Sequence, residues 1–477
     1  MKKILKTFAF IAGVVLILSA CDEYNELTAP PPVDSGNADF SRFVTIGNSL
    51  TAGYQSSSLY KSAQNYSYGK LIADVMGISF EQPLVADPGT GGRLEIHSVD
   101  LTTSSIDIVT NPNAGAPLNL TYPAPYNNLG VPGAFVYDIT NATNSTDCFT
   151  AVFAGVQNPM FDLILRNSSL AIGSQFLQAQ ALNPTFITLW IGNNDVLGFA
   201  TSGGTSPADP TDVNTVFAPL YAGTAVAIAG LQADVVVGNI PDVSTIPFFT
   251  TVGPQMALGG VPGIVYQKHN ELGPGTGQID GNGLLTGVVL ITLKGSSYAG
   301  LIGQPTGQFY RDFGFPALPP GIDTTQAFGV TPQNPWPNAL ILDPDEIVTA
   351  TTTVDAYNNV IATAANDNDF GLVDFNTFFK TIRANDFTGG TDINGISFTT
   401  MFITGGLFSL DGVHPTSQGQ AIIANEFIKI INAKFSASLP LIDVSTIPGS
   451  LTLTGKVSFD KNGYAIFAKD AFDHLLF

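Results

Sequence analysis

Ser49 is the residue best placed by its surroundings to do chemistry. It stands in Gly47-Asn48-Ser49-Leu50-Thr51-Ala52-Gly53, directly after the apolar run Phe43-Val44-Thr45-Ile46. Open α/β sheets place their ligands at the carboxyl ends of parallel strands. Glycines on either side permit a tight turn that leaves a hydroxyl exposed. A hydroxyl becomes a nucleophile when a base takes its proton, and Asp411-Gly412-Val413-His414-Pro415-Thr416 offers that base. Three-residue spacing lets the carboxylate and the imidazole face one site from a single loop, the Asp fixing the tautomer and the His receiving the proton. Three other histidines, His97, His269 and His474, have no such partner beside a helix start. Two shorter segments supply donors. In Gly192-Asn193-Asn194-Asp195 an Asn amide can donate to a developing oxyanion, a contact worth ~3 kcal/mol, although the same residues suit an Asx turn. In Asn128-Leu129-Gly130-Val131-Pro132-Gly133 a bare glycine lets a backbone N–H approach a substrate oxygen.

These residues need a scaffold that brings both ends of the chain together. Short apolar runs at Phe43–Ile46, Phe186–Ile191, Val235–Val237 and Leu372–Phe375 read as strands. Helical patterns fall at 161–181, where Pro184 follows, and at 214–231. A third runs from Asp343-Pro344-Asp345-Glu346 to about Asn366, with Asp343 as cap, Pro344 in the first turn and Glu346 at the third position. Thr416 or Ser417 caps a last helix through Phe435. Strands alternating with helices predict a parallel sheet covered on both faces. Residues 86–127 and 251–340 break the rhythm with Pro, Gly, Thr and Asn, and read as long loop insertions at the functional edge, as a lid or as packing without a role. From Pro440 onward, alternating Leu451-Thr452-Leu453-Thr454 and a Lys461-Asn462-Gly463 turn predict a C-terminal β-hairpin. Asp242-Val243-Ser244-Thr245-Ile246-Pro247 recurs as Asp443-Val444-Ser445-Thr446-Ile447-Pro448 without wider similarity, so the pair is a shared turn or a coincidence.

Lys2, Lys3 and Lys6 precede a short apolar core, Phe8 to Leu18, and then Leu18-Ser19-Ala20-Cys21. That is the pattern of a secretory signal at 1–20, and the last four residues resemble a bacterial lipobox in which Cys21 is lipidated. Residues 21–40, with Pro30-Pro31-Pro32, have tether composition. The expected place is the cell envelope, with the chain anchored by lipid to the outer membrane, on the periplasmic face or the cell surface. Without the three signal lysines, 15 basic side chains face 38 acidic ones, about −23. This excludes nucleic acid and charge-driven binding to anionic lipid. Cys148 is the only other cysteine, so neither a disulfide framework nor a cysteine zinc site is expected.

Taken together, the Ser49, Gly133, Asn194 and Asp411/His414 segments resemble, in order and spacing, the blocks of the GDSL (SGNH) hydrolases. The resemblance covers roughly 40–250 and 341–437, within a hydrolase domain set at 41–437, ahead of an extension at 438–477. It implies a three-layer α/β/α sandwich with a flavodoxin-like parallel sheet. It implies Ser49 as nucleophile, His414 as base and Asp411 as orienter, with an oxyanion hole from Ser49 N–H, Gly133 N–H and the Asn194 side chain. Gly133 is preferred to Gly130 because the family's glycine lies five residues after the block's Asn. No metal or cofactor is implied. The implied activity is ester hydrolysis through an acyl-enzyme, on acyl lipids as an esterase or lipase, or on acylated glycans as a polysaccharide deacetylase. A non-catalytic surface binding protein is the alternative. Asn48 departs from the family's usual Asp. Phe248, Phe249, Phe309, Phe313, Phe315 and Trp336 are candidates for an acyl pocket or for the second insertion's own core.

Overall fold

The structure, a computed structural model, describes residues 33–100, 105–205, 210–268, 275–449 and 466–467. The strands of the central sheet are β1 (Phe43–Gly47), β2 (Asn128–Gly130), β3 (Phe186–Trp190), β4 (Asp234–Gly238) and β5 (Gly371–Val373). All pair in parallel, in the spatial order β5-β4-β3-β1-β2. β1 and β3 are wholly buried, which explains their near-continuous apolar runs, since a parallel sheet is covered on both sides. The order reverses between β1 and β3, and at such a switch point the carboxyl ends open a crevice. Ser49 follows β1 and Asn194 follows β3, so both border it.

Alternation along the strands divides their side chains between two helix layers. On one face Tyr68, in α2 (Tyr68–Met76), places its hydroxyl 3.3 Å from Thr188 Oγ1 and stacks on Phe427 of α8 (Ser417–Phe435) at 4.7 Å. Trp190 stacks there on Phe375 at 4.2 Å. On the other, α3 (Gln175–Ala181) packs on β1 and β2. α5 (Ala218–Ala229) packs on α6 (Pro344–Asp367), which also meets α4 (Asn194–Thr201). The α6 start matches its sequence: Asp343 accepts from Asp345 and Glu346 N–H, and Glu346 accepts from Asp343 N–H, completing a capping box. Thr416 caps α8.

Several expectations need correction. The single helix expected over 161–181 is three pieces, Met160–Leu165, Asn167–Leu170 and α3. Arg166 breaks it with φ 50° because its guanidinium is drawn to the carbonyls of Leu120, Tyr122 and Ala124 and lies 3.8 Å above the Tyr126 ring. Phe375 is not in a strand: Asp374 accepts from Thr377 N–H and starts α7 (Phe375–Ala384). The insertions are not plain loops. Residues 93–100 and 105–111 form an antiparallel hairpin, as do 263–267 and 276–280. Residues 35–40, assigned to the tether, partly join the core: Ala38 and Phe40 are buried and Asn37 N–H donates to the Phe435 carbonyl. The proposed C-terminal hairpin lies outside the described residues, and of that segment Ile466–Phe467 pairs in parallel with Asp107–Ile108. The repeated hexapeptide is a shared turn. Asp242 and Asp443 each accept from the N–H and hydroxyl of the Ser two residues on, capping a one-turn 3-10 helix.

Candidate active site

The turn after β1 is tight because Gly47 has no side chain; a Cβ there would sit 2.4 Å from the Trp190 carbonyl. Asn48 then caps the one-turn helix α1 (Ser49–Ala52) by accepting from Leu50 N–H at 3.1 Å. Its Nδ2 donates to Asn193 Oδ1, also at 3.1 Å. The departure from the family pattern therefore has a local reason: an Asp would set a carboxylate oxygen against the Asn193 carbonyl oxygen, where the amide makes a hydrogen bond.

Ser49 Oγ lies 2.9 Å from His414 Nε2, and His414 Nδ1 lies 3.0 Å from Asp411 Oδ2. These three side chains, separated by up to 365 residues, are all buried. Asp411 is surrounded by donors. Oδ1 accepts from Val413 N–H at 2.9 Å, His414 N–H at 2.8 Å and Ser409 Oγ at 3.1 Å; Oδ2 accepts from Ser57 N–H at 2.8 Å. Burial alone would push this carboxyl up. The His414 charge and hydrogen bonds, with the Val413 N–H, outweigh burial and hold it below the ordinary Asp range. A hydroxyl, an imidazole and a fixed carboxylate in this order can pass a proton from the hydroxyl to the ring.

Asn194 joins the same cleft, at the start of α4, and its Nδ2 donates to the Ala134 carbonyl at 2.9 Å. Gly133 is the next residue back, buried at φ 80° and outside the lining of the cleft. Its peptide is held from the other side, because Asn158 Nδ2 donates to the Pro132 carbonyl at 2.8 Å. The loop beyond is fixed by two buried carboxyls: Asp195 accepts from Val136 N–H at 3.0 Å and Asp138 from Phe135 N–H at 2.8 Å. Burial pushes Asp195 up to about 7 and Asp138 to about 8.

Beside Ser49 and His414 opens a cleft of about 580 Å³, walled by Leu197, Ile240, Val243, Ile246, Phe379 and Phe408. None of the six aromatic candidates lines it. Phe248, Phe249, Phe309 and Trp336 are buried in the core, and Phe313 and Phe315 are 48% and 43% exposed. Sequence reading missed the true walls, although Ile240 and Pro241 directly follow β4, a position the strand-end rule could have flagged.

The GDSL-like lipase/acylhydrolase family matches residues 310–427, about a quarter of the chain, which includes Asp411 and His414. The match ends far from Ser49 and Asn194, and the fold returns both to the His414 side chain. Over that segment the chain is similar to the GDSL-like lipases and acylhydrolases. The match supports an enzyme that hydrolyses carboxylic esters. No curated protein matches this chain. Among solved structures it is similar to the acetyl xylan esterase AlAXEase at 12% identity, over 81% of this chain and 98% of that one, with a TM-score of 0.32. The acetylxylan esterase Axe2 of Geobacillus stearothermophilus is 11% identical over 83% and 96%, at 0.33. An extracellular lipase of Streptomyces rimosus is 12% identical over 82% and 98%, at 0.31. Likenesses this distant bear no weight on the substrate.

Proposed function

We propose that this protein is a secreted, lipid-anchored serine esterase of the GDSL type, in which Ser49 is the nucleophile, His414 the general base and Asp411 its orienting carboxylate. The observation that carries this reading is the unbroken chain from Ser49 Oγ through His414 to Asp411, at 2.9 Å and 3.0 Å. Ser49 Oγ attacks the ester carbonyl carbon as His414 Nε2 takes its proton. The carbonyl π electrons move to oxygen, and the oxyanion meets the Ser49 N–H, the Gly133 N–H and an Asn194 amide hydrogen. Collapse breaks the bond to the alcohol, which leaves with the proton from His414. Water, deprotonated by the same imidazole, then attacks the acyl-Ser49 ester; the acid is released and Ser49 recovers its proton. The apolar cleft beside Ser49 takes the acyl group, which suits an esterase or lipase. A polysaccharide deacetylase would use the same triad with a short acyl group.

The test is hydrolysis of p-nitrophenyl acetate and longer acyl esters by the wild type and by Ser49→Ala. Loss of the nucleophile lowers kcat by about 10⁴-fold or more; equal rates for the two proteins would sink the assignment. Chain-length preference separates a lipase from a deacetylase. Cys21, the proposed lipidation site, lies outside the described residues. Its sequence setting supports anchoring in the outer membrane, because two or more acyl chains on one residue give stable attachment. Cys21→Ser is expected to move the protein to the soluble fraction on cell fractionation, and unchanged membrane association would count against lipidation.

A further inference from the structure

Asn193 lines the cleft beside Ser49, and the mechanism above does not use it. It is only 8% exposed. It stands at the N-cap of α4, where an Asn oxygen usually accepts from the first turn, yet it makes no such bond. Its Oδ1 accepts from Asn48 Nδ2 at 3.1 Å. Among the described residues, Asn193 Nδ2 has no hydrogen-bond partner, and it is not sealed within the core.

The backbone fixes which end of each amide points where. Leu50 N–H can only donate, so the Asn48 atom 3.1 Å from it is the oxygen. The other end of Asn48 is then its amide nitrogen, which also can only donate, so the Asn193 atom it meets is again an oxygen. Asn193 therefore turns N–H groups, not a carbonyl, toward the cleft. A carboxylate at position 48 would reverse this sense. Both its oxygens accept, so Asn193 would have to turn Nδ2 to it and leave Oδ1 for the cleft.

Other polar side chains of the lining are engaged. Asn48 uses both ends of its amide. Trp190 Nε1 donates to the Asn239 carbonyl at 2.9 Å. Asp242 accepts from the N–H and hydroxyl of Ser244 and pairs with Lys380 Nζ at 3.3 Å. A plain alkyl acyl group entering this cleft would strip solvent from Asn193 Nδ2 and offer nothing in return. A site built around a hydrogen-bonding group rejects analogues that lack the matching atom. An acyl group with an acceptor oxygen supplies that atom.

We propose that Asn193 is a specificity-determining residue that donates to an oxygen of the acyl group, so that the cleft takes acyl groups bearing an ether or hydroxyl oxygen in preference to plain alkyl chains. Asn48 is the positioning residue that sets Asn193 in its donating sense. The proposal rests on the esterase reading and on entry of the acyl group into this cleft.

The test measures kcat/KM of the full chain on p-nitrophenyl esters paired to match in shape and differ by one oxygen. The pairs are methoxyacetate with butyrate, 3-methoxypropionate with pentanoate, and 3-hydroxybutyrate with 3-methylbutyrate. Comparing each ratio between proteins cancels the intrinsic reactivity of the esters. Asn193→Leu is expected to lower at least one ether-to-alkyl ratio by about tenfold or more. Leucine also makes the wall more apolar, so the deciding variant is Asn48→Asp, which keeps the Asn193 amide and turns it round. It is expected to lower the same ether ratio, because an ether cannot donate to Oδ1, and to leave the hydroxyl ratio within about twofold, because a hydroxyl both donates and accepts. Asn193→Asp, which accepts from Asn48 with one oxygen and presents the other to the cleft, is expected to repeat that pattern. Ratios unmoved in Asn193→Leu overturn the proposal. So does an ether ratio that both Asp variants leave unmoved, or that falls together with the hydroxyl ratio. If the wild type hydrolyses no ester, the esterase reading fails, and binding decides the role of Asn193. Calorimetry then compares the p-nitroanilides of the same acids on Ser49→Ala, with and without Asn48→Asp. A preference for an ether anilide that Asn48→Asp abolishes sustains the role, and equal or absent binding overturns it.

Discussion

Ser409 connects two buried groups that would otherwise compete for partners. Its Oγ donates to Asp411 Oδ1 at 3.1 Å and accepts from Ser56 N–H at 2.9 Å. Ser56 and Ser57 adopt φ of 51° and 60°, a left-handed pair uncommon for residues other than glycine. This turn brings the Ser57 N–H to Asp411 Oδ2, so backbone strain is spent where the carboxylate needs donors. Removing the Ser409 hydroxyl withdraws a partial positive charge from the Asp411–His414 pair. Asp411 then loses one of the donors that fix its carboxylate against the His414 ring. A hydrogen bond to a charged group is worth about 1.5–3 kcal/mol, so Ser409→Ala is expected to lower kcat/KM roughly tenfold or more, and Ser409→Thr to restore most of it. Wild-type kcat/KM in Ser409→Ala would show that this hydrogen bond does not position Asp411. Asp411 and His414 were legible because they stand three residues apart and histidine is scarce in this chain, and Ser49 because it follows an apolar strand between two glycines. Ser56, Ser57 and Ser409 were not. Two of the relevant donors are backbone groups carried by every non-proline residue, and the partners lie about 350 residues apart.

At the scale of elements, the segment from Gly133 to Asp138 shows how the sheet's edge is held in place. It has no regular structure before Asp138, and its polar groups go to Asn194, Asp195 and Asp138. The two carboxyls titrate far above the ordinary Asp value, Asp195 at about 7 and Asp138 at about 8, because burial disfavours their charged forms. The sign follows from linkage. Below about pH 4 the folded and unfolded states are both protonated; as pH rises the unfolded chain ionises first, so the stability contributed by these groups falls between about pH 4 and 8. Asp411 acts in the opposite sense, with a contribution lost only as pH falls below the ordinary Asp range. The unfolding free energy from urea titration is therefore expected to be lower at pH 8 than at pH 5, by an amount on the order of a few kcal/mol. Asp195→Asn should flatten that decline, and an equal slope in the variant would contradict it. β1, β3, β4, α6 and α8 were legible from apolar runs and caps. The breaks at Arg166 and within the insertions were not, because distant carbonyls and distant strands decide them.

For the molecule as a whole, the second insertion and the segment leading into it have a structural task that composition did not suggest. Phe248 N–H donates to the Gly412 carbonyl at 2.9 Å, and the segment from Ile240 to Ile246 walls the cleft beside Ser49. Leu293, deeper in the insertion, packs against the same loop. A Cβ on Gly412 would meet Leu293 Cδ1 at 2.5 Å and Phe248 N at 3.0 Å, and Gly412 has φ +70°. The loop between Asp411 and His414 is thus clasped by a region outside the sheet scaffold. Gly412→Ala should lower kcat/KM by about tenfold or more, since displacing a catalytic side chain by about 1 Å can cost 10²-fold. Two causes are separable. The left-handed conformation costs a residue with a Cβ about 1–2 kcal/mol wherever it lies, whereas the contact with Leu293 depends on the insertion. Leu293→Val removes Cδ1 at a cost near that of a single buried methyl group, about 1 kcal/mol. If the insertion positions the loop, Leu293→Val added to Gly412→Ala should recover part of the lost kcat/KM. If backbone conformation alone is responsible, the double variant will be no more active than Gly412→Ala, and the hold on the Asp411–His414 loop would then reduce to the Phe248 hydrogen bond, ahead of the insertion.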